Sequence, residues 1–295
     1  MPHHFTTTID QDGVATTTLT QEHAKVNKLS AGVWAELDTQ ITAWREDPAI
    51  RAVVLTSGKP GVFLAGADIA ELRALRTSEE VDALVRSSQD TLTRLEQCGK
   101  PVVAALNGSA LGGGLEVVLA CHGVVAVDSE AILLGLPETR LGLIPGAGGT
   151  QRFTRMAGIS AAVDLIRRAV LYPPRDGMAT GIIDNLVPAE DLQATARHLA
   201  LTLAEGEFKR DWDEMARQDD EAALARNHEE EAVAAVQAAV DTTAVNAASQ
   251  LAACKVITLG MLRTFEEGLA LERQAFVELF FRPEVQELME AFFRR

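Results

Sequence analysis

The stretch from Lys100 to Arg152, KPVVAALNGSALGGGLEVVLACHGVVAVDSEAILLGLPETRLGLIPGAGGTQR, restricts what this chain can become more than any other. It opens on Pro101 to Leu106, an apolar run with the length and branching of a buried strand, and passes through Asn107-Gly108 to Gly112-Gly113-Gly114. Three consecutive glycines would be costly inside a helix. They suit a turn where the backbone comes close to a ligand and aims free amides at it, with a helix following. The first turn of that helix carries Glu116, the only charge between Lys100 and Asp128. An ionised carboxylate in an apolar segment is destabilising unless it is paired, hydrogen-bonded or shifted in proton affinity. A second carboxylate, Glu138, follows in LGLPETRLG. The stretch therefore offers anion-facing amides and two carboxylates in apolar surroundings.

A chain of 295 residues, 47% hydrophobic and 23% charged, can bury a large soluble core with appended helices. The net charge of -15 and pI near 4.9 argue against an electrostatic grip on nucleic acid or an anionic membrane, since both need a basic surface. No apolar run reaches the ~18 residues of a membrane span. The N-terminus MPHHFTTTID has neither a basic nor an apolar leader region, which predicts a cytoplasmic location. Cys98, Cys121 and Cys254 are odd in number and scattered, as expected of reduced core thiols without a disulfide frame or metal pattern.

Along the chain, Phe5 to Leu19 alternates around Asp12-Gly13 and predicts a hairpin. Asn27 to Ser30 leads into a helix with Leu29, Val33, Leu37, Ile41 and Trp44 on one face, ending at Asp47-Pro48. Ala52 to Thr56 reads as a buried strand feeding a loop from Ser57 to Asp68. Thr77-Ser78-Glu79-Glu80 reads as a capping box for a helix running to Cys98. With the strand at Gly123 to Val127, the alternation predicts an α/β domain with largely parallel pairing. Helices are expected over Ile159 to Leu171 and Ala189 to Ala204, around a short returning segment at Gly181 to Asp184. Glu205 to Asp241, rich in acidic residues including Glu207, reads as a solvated helical hairpin with a narrow Val233, Val236, Val240 stripe. A terminal helical pair follows. Leu262, Phe265, Leu269, Phe276 and Phe280 lie in its first helix, and Val285, Leu288, Met289, Phe292 and Phe293 follow Pro283. Its apolar area fits either a partner subunit or the chain's own core.

Taken together, KVNKLS (Lys25 to Ser30), FLAGADI (Phe63 to Ile69), KPVVAALNGSALGGGLE, LPETRLGLIPGAGGTQR and the ending EEGLALERQAFVELFFRPEVQELMEAFF resemble the enoyl-CoA hydratase/isomerase (crotonase) superfamily, and within it the hydratases. The motifs stand in family order and span nearly the whole chain, which a lone glycine-rich loop would not do. The resemblance implies an α/β fold: a crotonase-like ββα spiral core over 1-200, then a C-terminal helical oligomerisation domain over 201-295. That second part includes an acidic insertion at about 205-245 and helices that build a homotrimer or a hexamer of paired trimers.

It further implies that the amides of Ala67 and Gly113 form an oxyanion hole for a thioester carbonyl, and that Glu116 and Glu138 are the catalytic pair. Here the two glutamates stand two residues further apart than in the usual hydratase spacing. One carboxylate would activate water as a base while the other handles the proton at the α carbon. Lys25, Val26, Ala65, Ala67, Asp68 and Ile69, with Gly112, Leu136 and Pro137, would line the path of CoA and acyl chain. No metal or redox cofactor is implied, because CoA enters as part of the thioester substrate. Each site has a competing reading: Glu116 as a first-turn acid favoured by the helix dipole, Glu138 as a surface partner of Arg140. Gly146, Gly148 and Gly149 are expected to open a helix rather than bind phosphate, since no P-loop Lys-Ser/Thr follows. His122 replaces a common aspartate and Ala70 a lysine found in some relatives. The rival functions are an enoyl-CoA delta-isomerase or another crotonase-type reaction, and, outside catalysis, a scaffold or RNA-binding protein on the same fold. Acyl-chain length, pathway and oligomer number are not encoded in any motif.

Overall fold

The computed structural model describes residues 3–206, 208–226 and 228–294. Glu207 of the acidic stretch lies outside the described residues. Strands β1 (Phe5–Ile9) and β2 (Val14–Leu19) precede helix α1 (Ala31–Glu46), β3 (Ala52–Ser57) and β4 (Gly61–Leu64). Helices α2 (Ile69–Ala74) and α3 (Ser78–Glu96) lead to β5 (Val102–Leu106), β6 (Gly108–Leu111), α4 (Gly113–Leu119) and β7 (Gly123–Val127). After β8 (Leu134–Gly135) and a 3-10 turn at Glu138–Leu141 come α5 (Gly149–Ala157), α6 (Ile159–Arg167), α7 (Pro174–Ala179), β9 (Asn185–Val187) and α8 (Leu192–Ala204). The remainder is helical: α9 (Trp212–Gln218), α10 (Asp220–Ala225), α11 (Glu229–Gln237), α12 (Ala247–Met261), α13 (Phe265–Phe280) and α14 (Pro283–Phe292). Two compact units form. The first gathers the chain up to Asp68, Asp90–Leu134 and Tyr172–Arg210; the second gathers Ile69–Gln89, Gly135–Leu171 and the chain from Asp211 onward.

The first unit is built on a sheet of order β1-β2-β3-β5-β7-β9. The Asp12-Gly13 turn, with Gly13 at φ 81, makes β1 and β2 antiparallel, and the later pairs are parallel. Strands covered on both faces read as continuous apolar runs, which is why Ala52 to Leu55 carries no polar residue. Val54, Val103, Ala105 and Val125 receive Leu192, Ala196 and Ala200 of α8. Leu55, one residue out of phase with Val54, lies with Val33 and Leu37 of α1 and Val117 of α4. Helix α1 starts where Ser30 Oγ accepts from Val33 N at 3.3 Å and stops at Asp47, before Pro48. Its Val33, Leu37, Ile41 and Trp44 are all buried, as their spacing predicts, and Trp44 Nε1 donates to Thr17 Oγ1 at 3.1 Å. The returning segment enters the sheet as β9 at Asn185, just beyond Asp184, whose amide donates to Val124 O at 2.9 Å.

A smaller sheet, order β4-β6-β8, replaces the loop expected from Ser57 onward. Its strands are too short, and too rich in glycine at their ends, to show a period. Gly61 pairs with Gly108, and a Cβ on Gly108 would stand 2.1 Å from Val62 N, so the register itself demands glycine there.

In the second unit the packing turns on α5. Gln151 sits against α12 and α13 at their glycines, since a Cβ on either Gly260 or Gly268 would come within 2.2 Å of its Oε1. Arg155 Nη2 donates to Gly260 O at 2.9 Å and to Arg263 O at 3.2 Å, satisfying carbonyls at the C-terminal end of α12. The acidic stretch is three short helices rather than a hairpin. Asp211 and Asp219 each cap a new start, accepting from Glu214 N at 2.9 Å and Ala222 N at 2.8 Å, so the carboxylates that suggested solvation also divide the helix. Val233 and Val236 are half-buried and Val240 is buried. Thr264 and Glu267 form a capping box at α13, as Thr77 and Glu80 do at α3. Thr264 thereby starts α13 after Leu262, which caps the end of α12 instead. Leu269, Phe276, Phe280, Val285 and Met289 are buried, while Phe281, Phe292 and Phe293 are exposed. The three cysteines are free and buried. Among the described residues, no helix is long and apolar enough to cross a membrane.

Gly108→Ala should lower stability by roughly 2 kcal/mol or more, because the added methyl meets strand backbone that cannot yield. Gly61→Ala, where the space is open and φ is 71, should cost only about 1 kcal/mol. Urea unfolding midpoints of the two variants check the order, and equal losses would contradict this register.

Candidate active site

In the first unit the loop after β4 and the glycine turn before α4 meet backbone to backbone. Gly66 adopts φ 95, and a Cβ there would lie 2.9 Å from Leu111 O and 3.6 Å from Gly113 N. Gly112 takes φ 55 and ψ -130 as the residue before α4, a conformation that favours glycine. Gly113 and Gly114 belong to the helix and not to the turn, contrary to what helix propensity predicts. Steric need outweighs that propensity: a Cβ on Gly114 would stand 2.2 Å from Leu64 O and 2.8 Å from Leu64 C.

The same approach brings the expected donors side by side. A point one bond out from the Cα of Gly113 is 3.8 Å from Ala67 N and 3.8 Å from Glu116 Oε2. Leu29 N donates to Gly66 O at 2.8 Å and Asp68 N donates to Leu29 O at 3.1 Å. The Ala67 amide between them is left unused. Neither Ala67 N–H nor Gly113 N–H has an acceptor among the described residues, and both residues are only half-buried. Glu116 is 3% exposed in the first turn of α4, and its carboxylate folds back toward the helix start, as helical side chains do. Two unused amides and a buried carboxylate within one small volume can stabilise an anion and move a proton beside it.

Of the residues expected along the substrate path, Ala65, Asp68, Gly112, Lys25 and Val26 also belong to this unit. Lys25 is exposed and Val26 half-buried in the segment before Asn27. Asn27, in the lead-in to α1, fastens that segment. Its Nδ2 donates to Leu19 O and Ser57 Oγ at 2.9 Å each, and its backbone carbonyl accepts from Ala65 N at 2.9 Å. Asp68 is engaged by Lys28 at 2.7 Å.

Glu138, Leu136, Pro137 and Ile69 belong to the second unit. Leu136 is fully buried, Pro137 precedes the 3-10 turn, and Ile69 begins α2. The surface-pair reading of Glu138 fails, because Arg140 turns its Nη2 to Ala169 O at 2.7 Å. Glu138 as a residue is half-buried, but its Oε2 is sealed from solvent and has no hydrogen-bond partner among the described residues. Burial pushes its carboxyl from the ordinary 4.5 to about 8; its own backbone amide opposes this and the charge of Glu272 adds to it.

Glu272 escaped the sequence reading. It is 0% exposed and accepts from Gly148 N at 2.6 Å, Thr150 N at 2.9 Å, Thr150 Oγ1 at 2.6 Å and Gln89 Nε2 at 3.1 Å. Gly148 and Gly149 do open α5, as expected, and Glu272 binds the Gly148 and Thr150 amides at that helix start. The signal was present in the sequence: Leu269, Glu272, Phe276 and Leu279 share one helix stripe, and a carboxylate within a core stripe requires partners.

His122 accepts from Val102 N at Nδ1 (3.0 Å), so its proton sits on Nε2, facing Glu96 O at 3.0 Å. Burial holds its pKa below the usual value, and the ring packs edge-on to Phe208. His122 is thus absorbed in packing just beyond the end of α4. Ala70 is exposed on α2. Asn107 donates its Nδ2 to Ser57 O at 2.6 Å. His228 is exposed beside Glu231, and among the described residues no group of three His, Cys, Asp or Glu is placed to hold a metal.

This α/β architecture, with two unused amides beside a buried carboxylate at the glycine turns of its first unit, is that of the crotonase fold. The sequence profile of the Enoyl-CoA hydratase/isomerase family matches residues 10–249, and the chain belongs to that family. Among solved structures it is similar to an enoyl-CoA hydratase from Bacillus anthracis, at 29% identity over 99% of this chain and 96% of that one, with a TM-score of 0.64. It is also similar to human mitochondrial delta3-delta2-enoyl-CoA isomerase, at 25% identity over 99% and 98% of the two chains, with a TM-score of 0.70. An enoyl-CoA hydratase from Bacillus halodurans, 19% identical over 98% and 100% of the chains with a TM-score of 0.71, shares the fold.

The state of Glu138 makes stability depend on pH. Its folded carboxyl binds a proton that the unfolded chain releases above about 4.5, so the stability it contributes is complete below that pH and is lost as pH rises through about 8. Glu138→Gln should match the parent near pH 4 and exceed it by about 2 kcal/mol or more near pH 8.5. Thermal unfolding of both proteins at the two pH values reads this difference, and a gap that does not widen with pH would refute it.

Proposed function

We propose that the chain is an enoyl-CoA hydratase, catalysing reversible syn addition of water to a trans-2-enoyl-CoA to give the 3-hydroxyacyl-CoA. The observation that carries this reading is the contrast between its two carboxylates. Glu116 stands beside the unused Ala67 and Gly113 amides, whereas Glu138 is held protonated near neutral pH. Hydration needs such an unlike pair. Glu116 takes a proton from water as the oxygen bonds to C3, the displaced π electrons move toward the thioester oxygen, and Glu138 delivers a proton to C2. The Ala67 and Gly113 N–H groups bear the enolate charge, each worth about 3 kcal/mol in the transition state. Because amides carry that charge, the step needs neither metal nor redox cofactor. Glu116 and Glu138 then exchange protons with solvent to reset.

Lys25, Val26, Ala65, Asp68, Ile69, Gly112, Leu136 and Pro137 line the path of CoA and acyl chain in this reading. A homotrimer or hexamer is the assembly we favour, formed through the terminal helices that leave Phe281, Phe292 and Phe293 exposed. The cytoplasm is the compartment that suits the buried free cysteines. The second reading is a delta-isomerase, which the similarity to the human isomerase favours. It needs one carboxylate to carry a proton between C2 and C4, and leaves the other without a role. A nucleic-acid role gains nothing from a chain of net charge -15.

Glu116→Gln and Glu138→Gln should each lower crotonyl-CoA hydration by about 10²–10⁴-fold. Near-normal turnover in both would remove the two-carboxylate reading. Chromatography of products from 2-enoyl-CoA and 3-enoyl-CoA separates hydration from isomerisation.

A further inference from the structure

Resting on the reading of Glu138 as proton donor, we infer that Glu272 is a positioning residue: the fixed negative charge against which the proton of Glu138 is held. Its four donors are the ground for this. Gly148 N and Gln89 Nε2 point to one oxygen, and Thr150 N and Thr150 Oγ1 to the other. Three of the four are N–H groups, which cannot accept a proton, and the Thr150 hydroxyl already accepts from Gln151 Nε2 at 2.8 Å. Burial raises the Glu272 carboxyl above its ordinary 4.5 on balance, and these four donors oppose that rise by favouring the ionised form. Glu138 has no such support at its sealed Oε2. Where two buried carboxyls interact and only one is wrapped in donors, the wrapped one stays ionised and the bare one keeps the proton.

The fold ties the two together mechanically. The segment from Glu138 to Gly148 runs past α14 and α13: Gly142 lies against Val285, Gly146 against Phe276, and the Gly148 amide ends on Glu272, one turn from Phe276. The turn bearing Glu138 is fixed by Thr139 Oγ1 donating to Ile166 O at 3.1 Å and by Asn246 Nδ2 donating to Thr139 O at 2.9 Å. Other charged groups on the elements packed around it are committed elsewhere. Arg140 holds Ala169 O, Arg167 holds Ala239 O, and Asp164 meets Arg168. Arg152 holds Ala147 O over the Phe265 ring, Arg155 holds Gly260 O, and Arg273 pairs with Asp82. On α14, Glu284 pairs with Arg282, Glu290 with Arg73 and Arg294, and Glu287 is exposed. Burial is the first cause of the raised Glu138 carboxyl, and a negative Glu272 raises it further.

The test is Glu272→Gln, which keeps the shape and removes the charge. The alkaline limb of kcat for crotonyl-CoA hydration, set by loss of the Glu138 proton, should move down by about one pH unit. Glu272→Asp should bring it back toward the parent position. A limb that does not move in Glu272→Gln, with folding confirmed by melting, overturns the inference, since a purely structural role alters rate without moving the profile. If that variant does not fold, carboxyl ¹³C spectra of the intact parent decide. With the Glu138 resonance assigned by its loss in Glu138→Gln, a neutral Glu138 beside an ionised Glu272 near pH 7 upholds it, and a proton on Glu272 overturns it. These spectra need no substrate, so full hydration by Glu138→Gln would refute the proposed reaction while leaving the coupling to be decided separately.

Discussion

The carbonyl of Leu64 leaves no room for a Cβ at position 114, and the placing of the two unused amides in the first unit follows from that contact. To let α4 lie this close to the end of β4, the helix begins on residues poor at helix formation, at a cost of about 1 kcal/mol each. The return is positional. Gly113 stands next to the loop of Ala67, so an N–H that a helix start leaves over lies beside a second unused amide. A side chain at 114 would push the helix away and part the amides, even though position 114 touches no substrate in the proposed reaction.

Three carboxylates show how neighbours place chemically identical groups in different states. Glu272 is wrapped by donors and serves as a charged tie at the start of α5. Glu138, with a sealed and unaccompanied oxygen, holds its proton near neutral pH. Glu116 lies in the first turn of α4, close to the amides. The difference between Glu272 and Glu138 does not follow from residue type; it follows from the number of N–H and O–H groups the fold brings within reach of each.

Much of this was legible in the sequence where periodicity or a capping residue speaks locally. Val33, Leu37, Ile41 and Trp44 announced the buried face of α1, Asp12-Gly13 its hairpin neighbour, and Thr77 with Glu80 the start of α3. Glu116 stood out because it is a charge alone among apolar residues. The small sheet of β4 and β6 did not show, because four-residue strands ending in glycine carry no alternation. The helical glycines were misjudged because propensity is a local quantity and the Leu64 carbonyl is a distant contact in sequence. Glu272 was hidden for the same reason: its partners Gln89, Gly148 and Thr150 come from segments more than 100 residues away.

Net charge is a poor guide to the electrostatics of such a site. The chain carries 42 acidic residues, yet those of α9 to α11 are exposed or partly exposed and face water. Their fields fade over a Debye length of about 8 Å at physiological salt. Burial removes that screening from one carboxylate, Glu272, and lets it act on Glu138 in a medium of far lower dielectric than water. Surface substitutions in the acidic helices can therefore change the charge of the molecule by several units and leave the proton on Glu138 where it is, whereas one neutralised buried side chain shifts it.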